Sequence, residues 1–191
     1  MAVDAAAEST LWGDYLLPEA ERDHSFVFSP LGETRYALGL ETIYEGYLVH
    51  YGRPRLFAPP DGDAALLLGD YLYAHGVARI SALHDVAAVA DLSELISLCS
   101  QVRAEEAAQP ASAAGQAGGA RPEDRSTHGA PGDGPLWAAT AALLGRGALD
   151  DARAALRLHA DPAPLDRIAR EAAGDSAVDE ALAAHAGRRV S

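Results

Sequence analysis

Apolar residues recur at helical spacing in the first half of the chain. The first run places them three and four positions apart, which is typical of one face of an α-helix. Its apolar members are Tyr36, Leu40, Ile43, Tyr44, Tyr47, Leu48 and Tyr51. Ser29 and Pro30 fit the N-cap and the first position of this helix, and Gly52 with Pro54 predicts where it ends.

Two further helices are predicted downstream. The segment AALLLGDYLYA opens a helix over about 64–83 and is apolar on nearly every side, which predicts a buried central helix. Within it, Gly69 lowers helix propensity and a buried Asp70 needs a partner. This pair therefore predicts close contact with a neighbouring helix. A third helix is predicted over about 86–108, because apolar residues again fall three and four apart.

The pattern divides the chain into four parts. Residues 1–28 predict an arm or short helix, with Trp12, Tyr15, Leu16 and Leu17 as anchors, and residues 29–108 hold the core helices. Residues 109–135 are rich in Gly, Ala, Pro, Ser and Gln without periodicity, which predicts a flexible linker. Residues 136–191 predict short amphipathic helices that pack on the core.

Composition narrows the fold class and the range of functions. Hydrophobic residues make up 49% of the 191 residues, and the abundance of Ala and Leu over β-branched residues favours an all-α fold. A formal net charge of −13 disfavours nucleic acid and anionic lipid surfaces as partners. No apolar run is long enough for a membrane span. The acidic start MAVDAAAEST does not resemble a signal peptide, so we expect a cytoplasmic protein.

Few residues predict chemistry directly. Cys99, the single cysteine, lies on an apolar helix face and predicts a small core residue. The histidines show no metal-ligand spacing, and Asp150 with Asp151 fits the acidic first turn of a helix. Arg53 and Arg55 follow a helix end and are candidates to contact an anion; an ordinary surface role is the alternative.

Two segments resemble the trans-isoprenyl diphosphate synthases, the polyprenyl synthetase family. One family helix reads roughly E-x-x-H-x-x-S-L-x-H-D-D-x-x-D, and Glu41, Leu48 and His50 match its Glu, Leu and second His. A later family helix reads A-x-L-x-G-D-Y-L-x-A. Its matches here are Ala65, Leu67, Gly69, Asp70, Tyr71, Leu72 and Ala74. The resemblance covers about residues 36–83 and implies a truncated isoprenoid-synthase-type bundle of long antiparallel core helices followed by short C-terminal helices.

The departures from the family pattern concern the metal site. The acids of the first Asp-rich motif would stand at Tyr51, Gly52 and Arg55, and the second Asp-rich motif is not found. Family enzymes use Mg²⁺ held by these acids to neutralise the leaving diphosphate. The resemblance therefore implies no catalytic residue, no metal and no cofactor in this chain, with Mg²⁺ expected in a catalytic partner.

Such a degenerate member resembles the small, non-catalytic subunit of a heteromeric hexaprenyl or heptaprenyl diphosphate synthase. The implied partners are a catalytic large subunit and the prenyl chain of the product, which supplies the menaquinone side chain. The alternatives are a free-standing helical binder of isoprenoid or lipid tails and an enzyme with a different, unrecognised site. A full-length synthase encoded beside this chain would favour the small-subunit interpretation.

The resemblance also suggests where product length would be set. In the family, side chains one to three turns before the first Asp line the floor below the growing prenyl chain. Helical spacing places Leu40, Ile43 and Tyr47 on that face, with Gly46 beside Tyr47. Ordinary core or interface packing of these four residues is an equal alternative.

Overall fold

The computed structural model describes residues 10–108 and 133–188 and has an all-α fold, which confirms the predicted class. Within these ranges seven helices have ten residues or more. They are α1 (Ala37–Tyr51), α2 (Gly62–Ser81), α3 (Val86–Ala108), α4 (Asp133–Leu143), α5 (Asp150–His159), α6 (Ala163–Ala173) and α7 (Asp175–Ala186). A single helical turn, Thr10–Gly13, precedes them, and one antiparallel bridge joins Leu16 to Phe57.

Helix α1 forms the centre of the molecule. Each residue from Gly39 to Val49 is buried, including the polar Glu41, Thr42 and Glu45. Helix α2 packs antiparallel against α1, and α4 covers another side with the buried residues Asp133 to Ala142. A helix enclosed on all sides must have its polar side chains satisfied within the protein.

The start of α1 differs from the sequence prediction. Ser29–Leu31 forms a single 3₁₀ turn with Pro30 as its second residue, a further 3₁₀ turn covers Thr34–Tyr36, and the long helix begins only at Ala37. Gly32 separates the two in an extended conformation. Gly32 lies against α4, where a side chain would overlap the carbonyl group of Ala141.

The prediction that α2 is the buried central helix is wrong. Leu66 and Leu67 are 55% and 60% exposed, whereas the adjacent Leu68 is completely buried. One side of α2 packs on α1, and its flank at Tyr71 contacts Trp12 of the N-terminal arm. Within residues 10–108 and 133–188 nothing covers the outward side, so α1 rather than α2 is the central helix.

The four C-terminal helices follow the predicted order. Helix α4 begins at Asp133, so residues 133–135 are helical and buried rather than part of a linker. The remainder of the predicted linker, 109–132, lies outside the described residues. Helices α5 and α6 each bury one side against the core, with Leu156 of α5 and Leu165 and Ala169 of α6 facing inward.

The apolar core consists of two clusters. The larger joins α1 to α3, α4 and the C-terminal helices, and includes Cys99 in the predicted core position. The smaller lies between the N-terminal arm, the α1–α2 loop and α2. Its buried members are Trp12, Val49, Leu56, Phe57, Leu68 and Leu72. Among the described helices, none is long and apolar enough to cross a membrane.

Candidate functional site

Of the residues that match the family helices, Glu41 and His50 lie on α1, and Gly69 and Asp70 lie on α2. His50 at the end of α1 rests on Gly69 of α2, where a side chain larger than hydrogen would overlap the imidazole ring. Gly46, one turn earlier on α1, faces the backbone carbonyl of Gly69 and the ring of Tyr73. Glycine at both places brings the two helix backbones close together. The crowding predicted at Gly69 therefore corresponds to contact with His50.

His50 and Asp70 form a pair at the edge of this crossing. The His50 Nε2 atom lies 3.3 Å from Asp70 Oδ1, and the His50 side chain is 9% exposed against 67% for Asp70. Their alignment is poor for a hydrogen bond, and Nε2 has no other partner. Burial lowers the pKa of His50, and the Asp70 carboxylate only partly opposes this shift. The imidazole is therefore neutral near pH 7. The Asp70 side chain faces water, so the expectation of a buried Asp70 is wrong.

Glu41, the third frame residue, has a structural role. Its Oε1 atom accepts the backbone N–H groups of Val27, Phe28 and Ser29 at 2.9, 3.1 and 2.9 Å. The carboxylate accepts the backbone N–H groups at the start of the Ser29–Leu31 turn, which have no acceptor within a helix. Glu41 thus fixes the 27–29 segment to the middle of α1.

Arg55 binds two buried carboxylates. Its Nε donates to Glu45 at 2.9 Å and its Nη1 donates to Glu41 at 2.9 Å. Further bonds run from Nη1 to the Ser25 carbonyl at 2.6 Å and from Nη2 to the Glu41 carbonyl at 3.2 Å. Although burial disfavours its charged form, the Glu45 and Glu41 carboxylates raise the pKa of Arg55. Its guanidinium is thus engaged inside the protein.

Arg53 has a different environment from Arg55. Its side chain is exposed and lines a surface cavity of about 420 Å³ together with Asp23 and Arg188. Its backbone N–H donates to the Arg188 carbonyl at 2.8 Å, which joins the α1–α2 loop to the end of α7. Although burial opposes ionisation, bonds from Ser25 and Arg188 lower the pKa of Asp23 to about 2. Of the two arginines that the sequence suggested as candidates to contact an anion, Arg53 is the accessible one.

Tyr51, Gly52 and Arg55, where the resemblance would place the acids of the first Asp-rich motif, make contacts within the chain. The Tyr51 hydroxyl donates to Ser100 Oγ at 3.2 Å, and the Tyr51 carbonyl accepts from Arg103 at 2.7 Å. Gly52 ends α1 and leaves no room for a side chain beside the Arg188 carbonyl. Described residues include no group of three or more His, Cys, Asp or Glu side chains placed to hold a metal ion.

The four candidate tunnel residues are enclosed in the core. Leu40 is 2% exposed, Ile43 and Tyr47 are completely buried, and Gly46 lies at the α1–α2 contact. The Tyr47 hydroxyl donates to the buried Asp133. Burial, followed by the charge and hydrogen bond of Asp133, raises the pKa of Tyr47 well above its usual range.

Sequence reasoning missed a polar network around Asp133. This carboxylate accepts the Gly134 N–H at 2.9 Å and lies 3.7 Å from His185 Nε2. His185 Nδ1 is in turn 3.0 Å from the Tyr44 hydroxyl. Neither Asp133 nor His185 belongs to a recognisable sequence motif. The one available signal was an acid three residues before the apolar run LWAATAALL.

Comparisons of the chain with protein-family models, with curated proteins and with solved structures found no match.

Proposed function

We propose that this chain is a non-catalytic subunit of a heteromeric trans-polyprenyl diphosphate synthase, which supports the catalytic subunit and influences the length of its product. The observation that carries the proposal is the contact of His50 with Gly69 and Asp70. These residues match the family frame in two separate segments, and they meet where α1 and α2 cross.

The positions after this crossing support a non-catalytic role. A metal-dependent synthase needs carboxylates there to hold Mg²⁺ against the diphosphate. In this chain Tyr51 contacts Ser100, Gly52 contacts the end of α7 and Arg55 neutralises two glutamates. Each of the three residues serves the fold of its own chain, so the Mg²⁺ and the reaction are assigned to the partner.

An effect on product length would act through the partner. Leu40, Ile43 and Tyr47 are covered by other residues of this chain, and none of them lines the cavity beside Arg53. We therefore place the growing prenyl chain in the catalytic subunit, whose shape this chain modifies by binding to it. The product would serve as the precursor of a menaquinone side chain.

The test is a reconstitution assay. The purified chain, a synthase that carries both Asp-rich motifs from the same organism, and their mixture are each incubated with farnesyl and isopentenyl diphosphates and Mg²⁺. We expect no turnover by the chain alone and a shifted product-length distribution in the mixture. Turnover by the chain alone, or the same rate and products with and without it, would contradict the proposal.

A second candidate is a free-standing binder of an amphiphile with an apolar tail. It is favoured by a second cavity of about 220 Å³ between α7 and the 25–31 segment, lined by Val27, Leu31 and Ala181. This cavity and the one beside Arg53 both border Ala184. A tail in the cavity lined by Val27, Leu31 and Ala181 would therefore place its head group near Arg53.

Calorimetric titration with farnesyl diphosphate, farnesol and inorganic diphosphate distinguishes this candidate. A binder takes up farnesyl diphosphate without a partner, and Ala181→Phe, which fills the apolar cavity, weakens that binding. A subunit of the first kind shows no such binding when it is alone.

A further inference from the structure

The outward side of the α2–α3 hairpin is nearly free of charge, and no described residue of the chain covers it. Its exposed residues fall on one face of each helix by helical spacing. They are Leu67, Asp70, Ala74, Ala78 and Ser81 of α2, and Val86, Ala90, Ser93 and Ser97 of α3. We call these nine residues the hairpin face. On α2 alone the face extends over about 21 Å, at 1.5 Å per residue.

This face contrasts with the rest of a strongly acidic protein. Val86 is 82% exposed and Leu67 is 60% exposed, while the chain as a whole has a formal net charge of −13. Asp70 is the one charged residue on the hairpin face. The neighbouring Glu94 of α3 points to α5, where it is bound by Arg157. Depletion of charge and enrichment of apolar groups are characteristic of the centre of a protein interface.

The half-buried residues between the two helices make the face continuous. Helical spacing directs Tyr73 and Val77 of α2 towards α3, and Val89 and Ile96 of α3 towards α2. All four pack against the main core. A partner would therefore contact one continuous surface that is packed on the core, rather than two separate rows of side chains.

We infer that the hairpin face docks the apolar helical surface of a different protein chain that presents an Arg or Lys side chain to Asp70. The inference rests on the proposed function and identifies the surface through which the catalytic subunit would bind. Covering Asp70 removes water from its carboxylate, and a desolvated carboxylate requires a cation or hydrogen-bond donors.

Charge decides between a different chain and a second copy of this one. His50, which lies beside Asp70, is itself held neutral by burial. The hairpin face contains no basic residue, so two copies packed through it would bury two Asp70 carboxylates without a cation. They would also bring together two chains of net charge −13 each. Like charges across an interface oppose assembly.

The experiment measures assembly with the synthase that carries both Asp-rich motifs, by calorimetry and light scattering. Leu67→Glu places a carboxylate in the hairpin face, and Leu158→Glu is its matched control because Leu158 is 71% exposed on α5. We expect Leu67→Glu to weaken binding at least tenfold and Leu158→Glu to leave it unchanged. Circular dichroism and the melting temperature confirm that both variants fold.

A second pair of variants tests the partner's charge. Asp70→Asn removes the carboxylate charge and Asp70→Lys reverses it, whereas Glu171→Lys reverses an exposed charge on α6. We expect about thirtyfold weaker binding for Asp70→Asn and a larger loss for Asp70→Lys, since the latter faces a like charge. A partner variant with its basic residue changed to Asp should restore binding of Asp70→Lys.

The outcomes separate this inference from the proposed function. Normal binding by both Leu67→Glu and Asp70→Lys would overturn the docking surface and leave the subunit role intact. A dimer of this chain that Leu67→Glu disrupts would overturn the choice of a different chain. Failure of the unmodified protein to bind the synthase would overturn the subunit role, and with it this assignment of the partner.

Discussion

Helix α1 and the hairpin face reverse the usual relation between polarity and burial. Glu41 and Glu45 of α1 are buried at 2% and 0% exposure, while Leu67 and Val86 of the hairpin face are largely in water. The glutamates are buried because backbone N–H groups and Arg55 satisfy them. The exposed apolar residues have no cover within the described part of the chain. Polarity alone therefore does not determine which helix is central.

The largest expected effect comes from breaking the network inside α1. Arg55→Ala removes the cation between Glu41 and Glu45, which leaves two buried carboxylates without their main partner. Removing one member of a buried ion pair costs about 3–5 kcal/mol. We expect the free energy of unfolding, measured by urea denaturation at pH 7, to fall by about that amount or the chain not to fold.

The matched control breaks an exposed pair. Arg157→Ala removes the partner of Glu94, and both side chains of that pair are more than 40% exposed. Solvent-exposed pairs contribute about 0–1 kcal/mol, so this variant should unfold nearly as the unmodified protein does. Equal losses for Arg55→Ala and Arg157→Ala would contradict the structural role of the Glu41–Arg55–Glu45 network.

Two neighbouring leucines test the boundary between core and hairpin face. Leu68 is completely buried in the smaller core cluster, and Leu67 is 60% exposed. Leu68→Ala should lower the free energy of unfolding by about 2–5 kcal/mol, whereas Leu67→Ala should change it by no more than about 0.5 kcal/mol. Similar losses from the two substitutions would mean that Leu67 is already covered in the isolated chain.

The sequence predicted the helices better than their arrangement. Periodicity located the long helices and the four short ones, because each needs only local spacing of apolar residues. The central position of α1 depends on two connecting segments, which deliver the Val27–Ser29 N–H groups to Glu41 and Arg55 to Glu45. Local spacing contains no information on such long-range partners. The sequence did predict crowding at Gly69. It did not identify His50 as the residue in contact with Gly69, because the two lie on different helices.

Glycine substitutions in α2 test the contact with α1. Gly69→Ala adds a methyl group that overlaps the His50 ring, whereas Gly62 at the start of the same helix has open space around it. Overpacking costs about 1–3 kcal/mol, partly offset by the roughly 1 kcal/mol gain in helix propensity. We expect Gly69→Ala to destabilise the protein and Gly62→Ala to leave its stability unchanged or raise it.

A double variant shows whether the cost arises at His50. His50→Ala removes the ring that the Gly69→Ala methyl group meets, so the two substitutions together should cost less than the sum of their separate effects. The comparison uses the urea midpoint at pH 7. Strict additivity would place the strain elsewhere in the helix pair.

The smallest expected effect is the share of one buried tyrosine, Tyr36, in the loss of stability at alkaline pH, which reports on burial around α1. Burial, followed by the hydrogen bond to Asp85, raises the pKa of Tyr36 to about 12, and burial also raises the pKa of Tyr44. The unfolded chain releases these protons near pH 10, while the native state retains them. The contribution of these two tyrosines to the free energy of unfolding is therefore fully present below pH 10 and is lost as pH rises towards 12.

The sequence makes this measurement clean, because it contains no lysine to titrate in the same range. We expect the urea midpoint to fall between pH 9 and pH 11, with a shallower slope for Tyr36→Phe, which has no phenol proton to retain. Leu67→Glu, on the hairpin face, should preserve the slope of the unmodified protein. A midpoint independent of pH would mean that the tyrosines around α1 are open to water, which would remove the distinction between the two regions.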